Sequence, residues 1–489
     1  MNTLIRSTKS SRSIVLHRHS RYSLTVALCF ILVGCASDGQ LRSSFKPVEL
    51  SSLQSKQLRI DITHPNSSQS PQHWWQVWQD PQLNEILTAL DDYAPNVHLA
   101  QIRLERAAAL TDLKQVDRQV QASSELKMSA DRYPDHDSYP EKYAGKTGSS
   151  GRLTTTIGWH LDLWGKYKAL ADAAALQTDA AELQLQDVRL SLQLAISNHY
   201  LQWHISEQLL QKQLEKRKIL QELLNIEQQK RRAGLAKQDH VIEASLAINT
   251  IDSQLPILRR NIAQDRHAIA ALLGQSTEFS DALQKPALQL KSQQAVATTL
   301  PLHWLGERPD IAALRQLIEA QARQSDAARA SFYPDINLTA VLGLQSLGLD
   351  YLFREGSRTM AIGPAINLPI FEQNRLRANL RGELANYDLA VVQYNQSLVN
   401  AIQQVSDALQ QFHSAQQQFV LVQQAQQQTQ QLHKIAAQRL KQGLNTRQAL
   451  LRTELQQLDR AIQRIQTEHA IALAQFNLTR SLGGRWVFH

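Results

Sequence analysis

Two stretches of this chain, residues 141–255 and 370–489, contain no proline. Proline breaks a helix interior by removing a hydrogen bond and clashing with the preceding turn, so its absence allows very long helices. Each stretch holds a run rich in Leu, Ala, Gln, Glu and Arg. Lys166–Arg232 would span about 100 Å at 1.5 Å per residue if continuous. Leu183, Leu190, Leu194, Leu201, Leu209 and Leu220 recur at near-helical intervals within it. No ordinary globular helix is that long; a coiled coil or a barrel of helices is expected. The Gln-rich piece 403–431 carries Val405, Leu409, Phe412, Val420 and Val422, which give it an apolar stripe and make it helical too.

The halves repeat each other. Ala233-Gly234-Leu235 and Gln442-Gly443-Leu444 end the two long helices, and Leu273-Gly274 and Leu482-Gly483 end the next ones, all at an offset of 209. Gly158–Leu163 and Gly363–Leu368 pair at an offset of 205. The helix after Asn96 corresponds to the one after Pro309. A tandem duplication accounts for the shared spacing.

Between the helices lie four segments of period two. They are expected at about 122–133, 152–164, 335–345 and 359–369, the strand length that crosses an outer membrane. Leu126, Met128 and Ala130 alternate with Lys127, Ser129 and Asp131; Ile336, Leu338, Ala340, Leu342 and Leu344 alternate with mostly polar neighbours. Four strands cannot close a barrel, and lipid tolerates no open edge. If these strands sit in a membrane, several chains must share one barrel.

The N-terminus reads as an export signal. A basic, polar stretch precedes the apolar run Leu24–Val33, too short to span a bilayer as a helix. Leu32-Val33-Gly34-Cys35 then resembles the bacterial lipobox, which makes Cys35 the expected lipidation site. Residues 1–34 are the expected signal peptide and 35–72 the lipidated N-terminal segment. Ala36 rather than aspartate follows the cysteine, which favours the outer over the inner membrane. The leader holds Arg6, Lys9, Arg12, Arg18 and Arg21 and no acid, so most of the +8 net charge belongs to it. The remainder has 47 basic against 44 acidic residues, and a nucleic-acid partner has little support. Cys29 and Cys35 are the two cysteines, so the mature chain can form no internal disulfide and no cysteine-based metal site.

Enzyme signals fail. Gly145-Lys146-Thr147 lacks the upstream glycine of a phosphate loop, where Pro140 stands, and reads as the outer loop of the first hairpin. His199 and His204 are five apart on a helix, poor ligand geometry, and are expected to have no acidic partner nearby. Trp74, Trp75, Trp78 and Trp203 suit helix packing. No cofactor beyond a covalent lipid on Cys35, and no metal, is expected.

The sequence resembles the TolC-like outer membrane factor family, in its lipoprotein branch of multidrug efflux proteins. The resemblance rests on Trp74-Trp75-Gln76-Val77-Trp78-Gln79-Asp80-Pro81-Gln82-Leu83, Leu161-Asp162-Leu163-Trp164-Gly165-Lys166, Arg308-Pro309-Asp310-Ile311 and Ser331-Phe332-Tyr333-Pro334-Asp335-Ile336. Gly363-Pro364, Leu368-Pro369-Ile370-Phe371, Arg375-Leu376-Arg377 and Ser481-Leu482-Gly483-Gly484 complete it. It implies a mainly α chain with membrane β structure: four strands per subunit in a trimeric 12-strand β-barrel, continued by a long periplasmic α-barrel. The expected parts are a first repeat, 73–274, with its long helix at about 166–232; an equatorial linker, 275–305; and a second repeat, 306–489, with its long helix at about 375–441.

The resemblance further implies a passive duct for drugs or other small toxic compounds. A periplasmic adaptor would dock it to an inner-membrane pump, at helix turns that here hold Gly234, Leu235, Gly443 and Leu444. Family members often gate such turns with charges. The nearby candidates are Asp239, Glu243, Arg439 and Arg447, but His240 and Ala449 occupy the positions where acids are common. The competing reading, a non-pore adaptor or tether lipoprotein with coiled-coil hairpins, predicts one hairpin rather than two equal ones.

Overall fold

A computed structural model describes residues 38, 40–49, 73–136, 141, 144–290 and 303–485. The leader, Cys35 and residues 291–302 of the expected linker lie outside the described residues. A short 3-10 turn, Trp74–Trp78, leads into α1 (Pro81–Thr88), α2 (Leu90–Tyr93), α3 (Pro95–Val116) and strands β1 (Gln121–Arg132) and β2 (Thr147–His160). Then come α4 (Lys166–Arg232), α5 (Gln238–Leu272), α6 (Thr277–Ala282), α7 (His303–Gly306) and α8 (Pro309–Ala330). Strands β3 (Asp335–Leu347) and β4 (Arg358–Asn367) precede α9 (Gln373–Lys441) and α10 (Arg447–Ser481).

The duplication is visible in helix lengths. Helices α3, α4 and α5 have 22, 67 and 35 residues, against 22, 69 and 35 for α8, α9 and α10. Both 22-residue helices open on a proline, whose fixed φ suits the first helical position and whose missing N–H costs nothing there. One departure from the repeat is Pro256 inside α5, which leaves the Asp252 carbonyl without its helical donor.

The repeats are not the compact bodies. One unit takes Ala107–Thr178 and Leu317–Val391 with the described residues before Pro47; the other takes Pro47–Arg106, Asp179–Gln316 and Val392–His489. Each draws on both halves, because the strand pair of one half completes its sheet with the pair of the other. In the first unit β1-β2-β3-β4 form one antiparallel sheet rather than two separate hairpins. Beneath it Ala328, Phe332, Leu376, Leu380 and Leu384 make a small core. In the second unit Trp74, Trp75, Trp78, Ile196, Tyr200, Leu201, Trp203, Ile269 and Phe476 belong to the main core. A satellite core holds Leu220, Leu223, Ile248, Ile251, Leu255 and Leu451. Among the described residues no helix is long and apolar enough to cross a membrane.

Two strand limits differ from expectation. β2 starts at Thr147, earlier than its alternation suggests, because Gly148–Gly151 pair through their backbones with Asp131–Met128. It ends at His160 rather than about 164. Leu161 N–H still reaches the Ile336 carbonyl at 2.9 Å, but Asp162 then accepts from Tyr167 N–H at 3.1 Å and Lys168 N–H at 2.7 Å. That side-chain cap starts α4 and stops the strand.

Candidate functional site

The register gives the sheet two chemically distinct faces. Leu126 stands opposite Leu153, which stands opposite Leu344; Ile157 opposes Ala340, which opposes Ile362; Ile336 opposes Ile366. All of these lie on one face, together with Met128, Trp159, Leu338, Leu342 and Met360. On the other face Lys127 opposes Arg152, which opposes Gln345, and Ser129 opposes Ser150 within hydrogen-bond distance, 2.8 Å. Lys127, Ser129, Asp131, Ser150, Arg152 and Gln345 of this polar face help line a cavity of 630 Å³. Much of the apolar face is bare, with Met360 78% and Ile362 75% exposed. Water would not tolerate such a band at this size, whereas hydrocarbon would.

The sheet is also open. β1 and β4 each pair on one side alone among the described residues, which leaves two edges of unsatisfied backbone. Where the strands meet the helices, Trp164 stacks on Tyr333 with ring centroids 4.8 Å apart, and its Nε1–H donates to the Pro334 carbonyl at 2.9 Å. Exposed Phe371 lies between β4 and α9. Such aromatics suit a membrane–water boundary.

The turns at the far ends of the long helices are built alike. Leu235 N–H donates to the Lys230 carbonyl at 2.7 Å and Gly234 N–H to the Arg231 carbonyl at 3.0 Å; Leu444 to Arg439 and Gly443 to Leu440 repeat this at 2.8 and 3.0 Å. These are Schellman caps, with φ of 75° at Gly234 and 72° at Gly443, where a side chain would be strained. Such caps usually bury an apolar residue after the glycine. Here Leu235 is 79% and Leu444 74% exposed, because their helical counterparts are Lys230 and Arg439.

Of the expected gate charges the structure brings Arg447 to a carboxylate, but not to Asp239 or Glu243. Arg447 holds Glu222 of α4 in a fork, at 2.8 and 3.1 Å, and lies 3.7 Å from Glu454. The paired guanidinium lowers the Glu222 pKa, and Glu222 raises that of Arg447. Asp239 accepts from the adjacent His240 N–H at 2.9 Å. Among the described residues Asp239, Glu243 and Arg439 have no ion-pair partner in this chain. Sequence reasoning missed Glu222 and also buried Glu227, which accepts from Gln448, itself a partner of Lys230. Their separations of 225 and 221 residues leave no local signal.

The tryptophan-rich motif is explained by Asp80. It caps α1, its Oδ1 accepting from Leu83 N–H at 3.0 Å and from the Tyr200 hydroxyl at 3.0 Å, while Oδ2 accepts from Ala287 N–H at 2.8 Å. Gln82 exchanges two further bonds with Gln284, at 2.9 and 2.8 Å. The motif thereby ties residues 284–287 of the linker to α4. Trp74 and Trp78 pack against Phe476 of α10, centroids 5.6 and 4.5 Å apart. His199, expected to lack an acidic partner, has Asp265 at 3.0 Å, brought in by α5 from 66 residues away. Among the described residues no group of three or more His, Cys, Asp or Glu is placed to hold a metal.

The sequence model of the family described as "Outer membrane efflux protein" matches residues 91–275 and 300–484. These stretches begin and end 209 residues apart, the offset of the turn glycines. The chain is 28% identical over 376 residues to the multidrug resistance outer membrane protein MdtP of Escherichia coli O157:H7, covering 74% of this chain and 75% of that one. It is 27% identical over 474 residues to the toluene efflux pump outer membrane protein TtgF of Pseudomonas putida, covering 95% and 96%. The solved outer membrane protein VceC of Vibrio cholerae superposes with a TM-score of 0.76 at 28% identity, over 86% of this chain and 100% of that one. None of this supports the adaptor or tether reading. With a two-faced open sheet, duplicated long helices and matches across most of its length, the chain belongs to the outer membrane efflux protein family, has the TolC-like fold and serves as an outer membrane efflux channel.

Proposed function

We propose that three copies of this chain close one 12-strand β-barrel in the outer membrane, continued by their long helices as a periplasmic duct. The observation that carries the reading is the open sheet: apolar on one face, polar on the other, with both edges unpaired among the described residues. Lipid forbids such edges, and four strands need eight more to enclose an aqueous lumen. Drugs or other small toxic compounds, delivered by an inner-membrane pump through a periplasmic adaptor, leave through this duct without a binding pocket. No cofactor is needed, and Cys35 carries a covalent lipid that anchors each chain.

The adaptor docks at the two turns. Leu235 and Leu444 are presented there by glycine caps with open surroundings, which suits insertion of a partner's helix tips. Arg447 with Glu222 is the charge contact that can hold this end shut, and Asp239, Glu243 and Arg439 are exposed where a neighbouring copy could meet them. The test is single-channel conductance of the purified lipidated protein in a planar bilayer, with its mass measured in detergent. Discrete steps from a three-chain species, rising when Arg447 is replaced by Gln, are expected. A monomer that never conducts, even with Arg447, Asp239 and Glu243 all neutralised, overturns the reading.

A further inference from the structure

The apolar face of the sheet is not wholly uncharged. Following the register, its residues are the even-numbered ones of β1, β3 and β4 and the odd-numbered ones of β2. Among these the charged side chains are Arg132 and Arg358 alone. Both are arginines, both stand at the strand ends away from the helices, and they lie on the two edge strands. A charge in the middle of a lipid face is costly, and one at the headgroup level is not. Their placement therefore marks the outer rim, where an arginine meets anionic headgroups.

The loop between β3 and β4 leans onto the same face. Its Leu352 is buried against Gly151, which lies on the apolar side; a Cβ on Gly151 would stand 2.9 Å from the Leu352 side chain. The loop presents exposed Tyr351 and Phe353, and the Arg354 guanidinium sits 4.4 Å from the centre of the Tyr351 ring. Arg132 has no ion-pair partner among the described residues. Arg358 has Glu355 at 3.5 Å, a highly exposed pair and so a weak one.

Within one chain Arg132 and Arg358 are three strand spacings apart across the sheet, about 14 Å, and six residues apart along it, about 20 Å. Closure of the trimeric barrel would bring those of neighbouring copies together. Arg358 lies in the row of Leu344, Leu153 and Leu126, six residues short of Arg132 on β1. In a closed barrel the strands tilt and successive strands are staggered in one sense. A stagger of that size would bring both strand ends to one level rim, and would place the Arg358 of one copy beside the Arg132 of the next.

We propose that each seam between copies binds the phosphorylated headgroup of an outer-leaflet lipid. Arg132 of one copy and Arg358 and Arg354 of its neighbour contact the phosphate, and Tyr351 and Phe353 lie along the acyl–headgroup boundary. Arginine suits this role because its planar fork engages two phosphate oxygens at once. The site rests on the trimeric reading above, since one chain holds only half of it.

The test uses the full-length, delipidated channel in detergent and native mass spectrometry, with bis-phosphorylated lipid A, its dephosphorylated form and inorganic phosphate as probes. Replacing Arg132 and Arg358 by Gln together should weaken bis-phosphorylated lipid A at least tenfold, and Lys at both, which keeps the charge but not the fork, should fall between the wild type and the double Gln variant. Glu355→Gln, which removes the competing carboxylate, should tighten binding. Dephosphorylated lipid should not distinguish the wild type from the double Gln variant. Equal affinity of wild type and double Gln variant overturns the proposal; so does inorganic phosphate binding as tightly as the lipid, which would make this a free-anion site. Conductance of the same variants separates the two readings: a conducting three-chain species with no lipid discrimination defeats the seam site and leaves the channel standing.

Discussion

Helix α5 ends in the same cap as α4, yet the two glycines should not tolerate alanine equally. Gly234 and Gly274 have φ of 75° and 66°, and both cap N–H groups make the Schellman pair of bonds. Alanine at either position carries the left-handed penalty, about 1–2 kcal/mol. At Gly234 nothing lies within 4 Å of the added carbon, so the penalty ends there. At Gly274 that carbon would stand 2.8 and 2.9 Å from Cγ and Cδ of Pro95 and 3.2 Å from the Tyr93 carbonyl oxygen. Pro95 is the rigid first residue of α3, and relieving the overlap costs about 1–3 kcal/mol more. Gly274→Ala should therefore lose about 2–5 kcal/mol and Gly234→Ala about 1–2 kcal/mol. The check is thermal unfolding of both variants in the same detergent at one scan rate, followed by helical circular dichroism. Equal midpoints would refute the reasoning, because they would mean that the cap conformation alone sets the cost. The second half offers a replicate, since Gly483 meets Arg308 Cα at 3.1 Å while Gly443 has open space.

Asp80→Asn preserves shape but turns one acceptor into a donor facing an N–H, from Ala287 or from Leu83; it should cost about 1–3 kcal/mol, read by unfolding, and raise proteolysis near 284–290. Glu222→Gln or Arg447→Gln breaks an exposed fork worth about 1 kcal/mol or less, so the melting temperature should barely move while conductance changes. Burial holds the His204 and His469 pKa values below the ordinary 6.5, so the unfolded chain takes up protons that the folded one refuses. Stability should be full above about pH 6.5 and fall below it, by at most about 1.4 kcal/mol per pH unit for each histidine. His469→Gln should flatten that slope in pH-dependent melting; an unchanged slope would remove His469 as a source.

Proline placement made the helices legible: Lys166–Arg232 was expected within a residue or so because nothing in that run opposes a helix. The Gly234, Gly274, Gly443 and Gly483 caps were equally legible, since the left-handed position selects glycine locally. Alternation revealed both faces of the sheet because its period is a property of the strand itself. The start of β2 was not legible, since Gly148–Gly151 have no apolar pattern and are strand only through their partner β1. Arg447 was singled out, but as one of several charges near a turn.

What the sequence by itself determined is thus everything governed by neighbours along the chain: helix extent, cap glycines, strand faces, and the duplication that joins them. Tertiary structure alone decided that the strand pairs merge into one sheet with β1 and β4 as its edges, that Glu222 rather than Asp239 holds Arg447, and that Asp80 grips Ala287 across 207 residues. The physical reason is common to all three. Local rules fix which groups are offered on each face, but a hydrogen bond or ion pair between distant segments depends on which faces packing brings together. Around Asp80 that choice is made by burial of Trp74, Trp78, Phe476 and their neighbours, whose apolar contacts are non-directional and leave no pattern in the sequence of the partners they align.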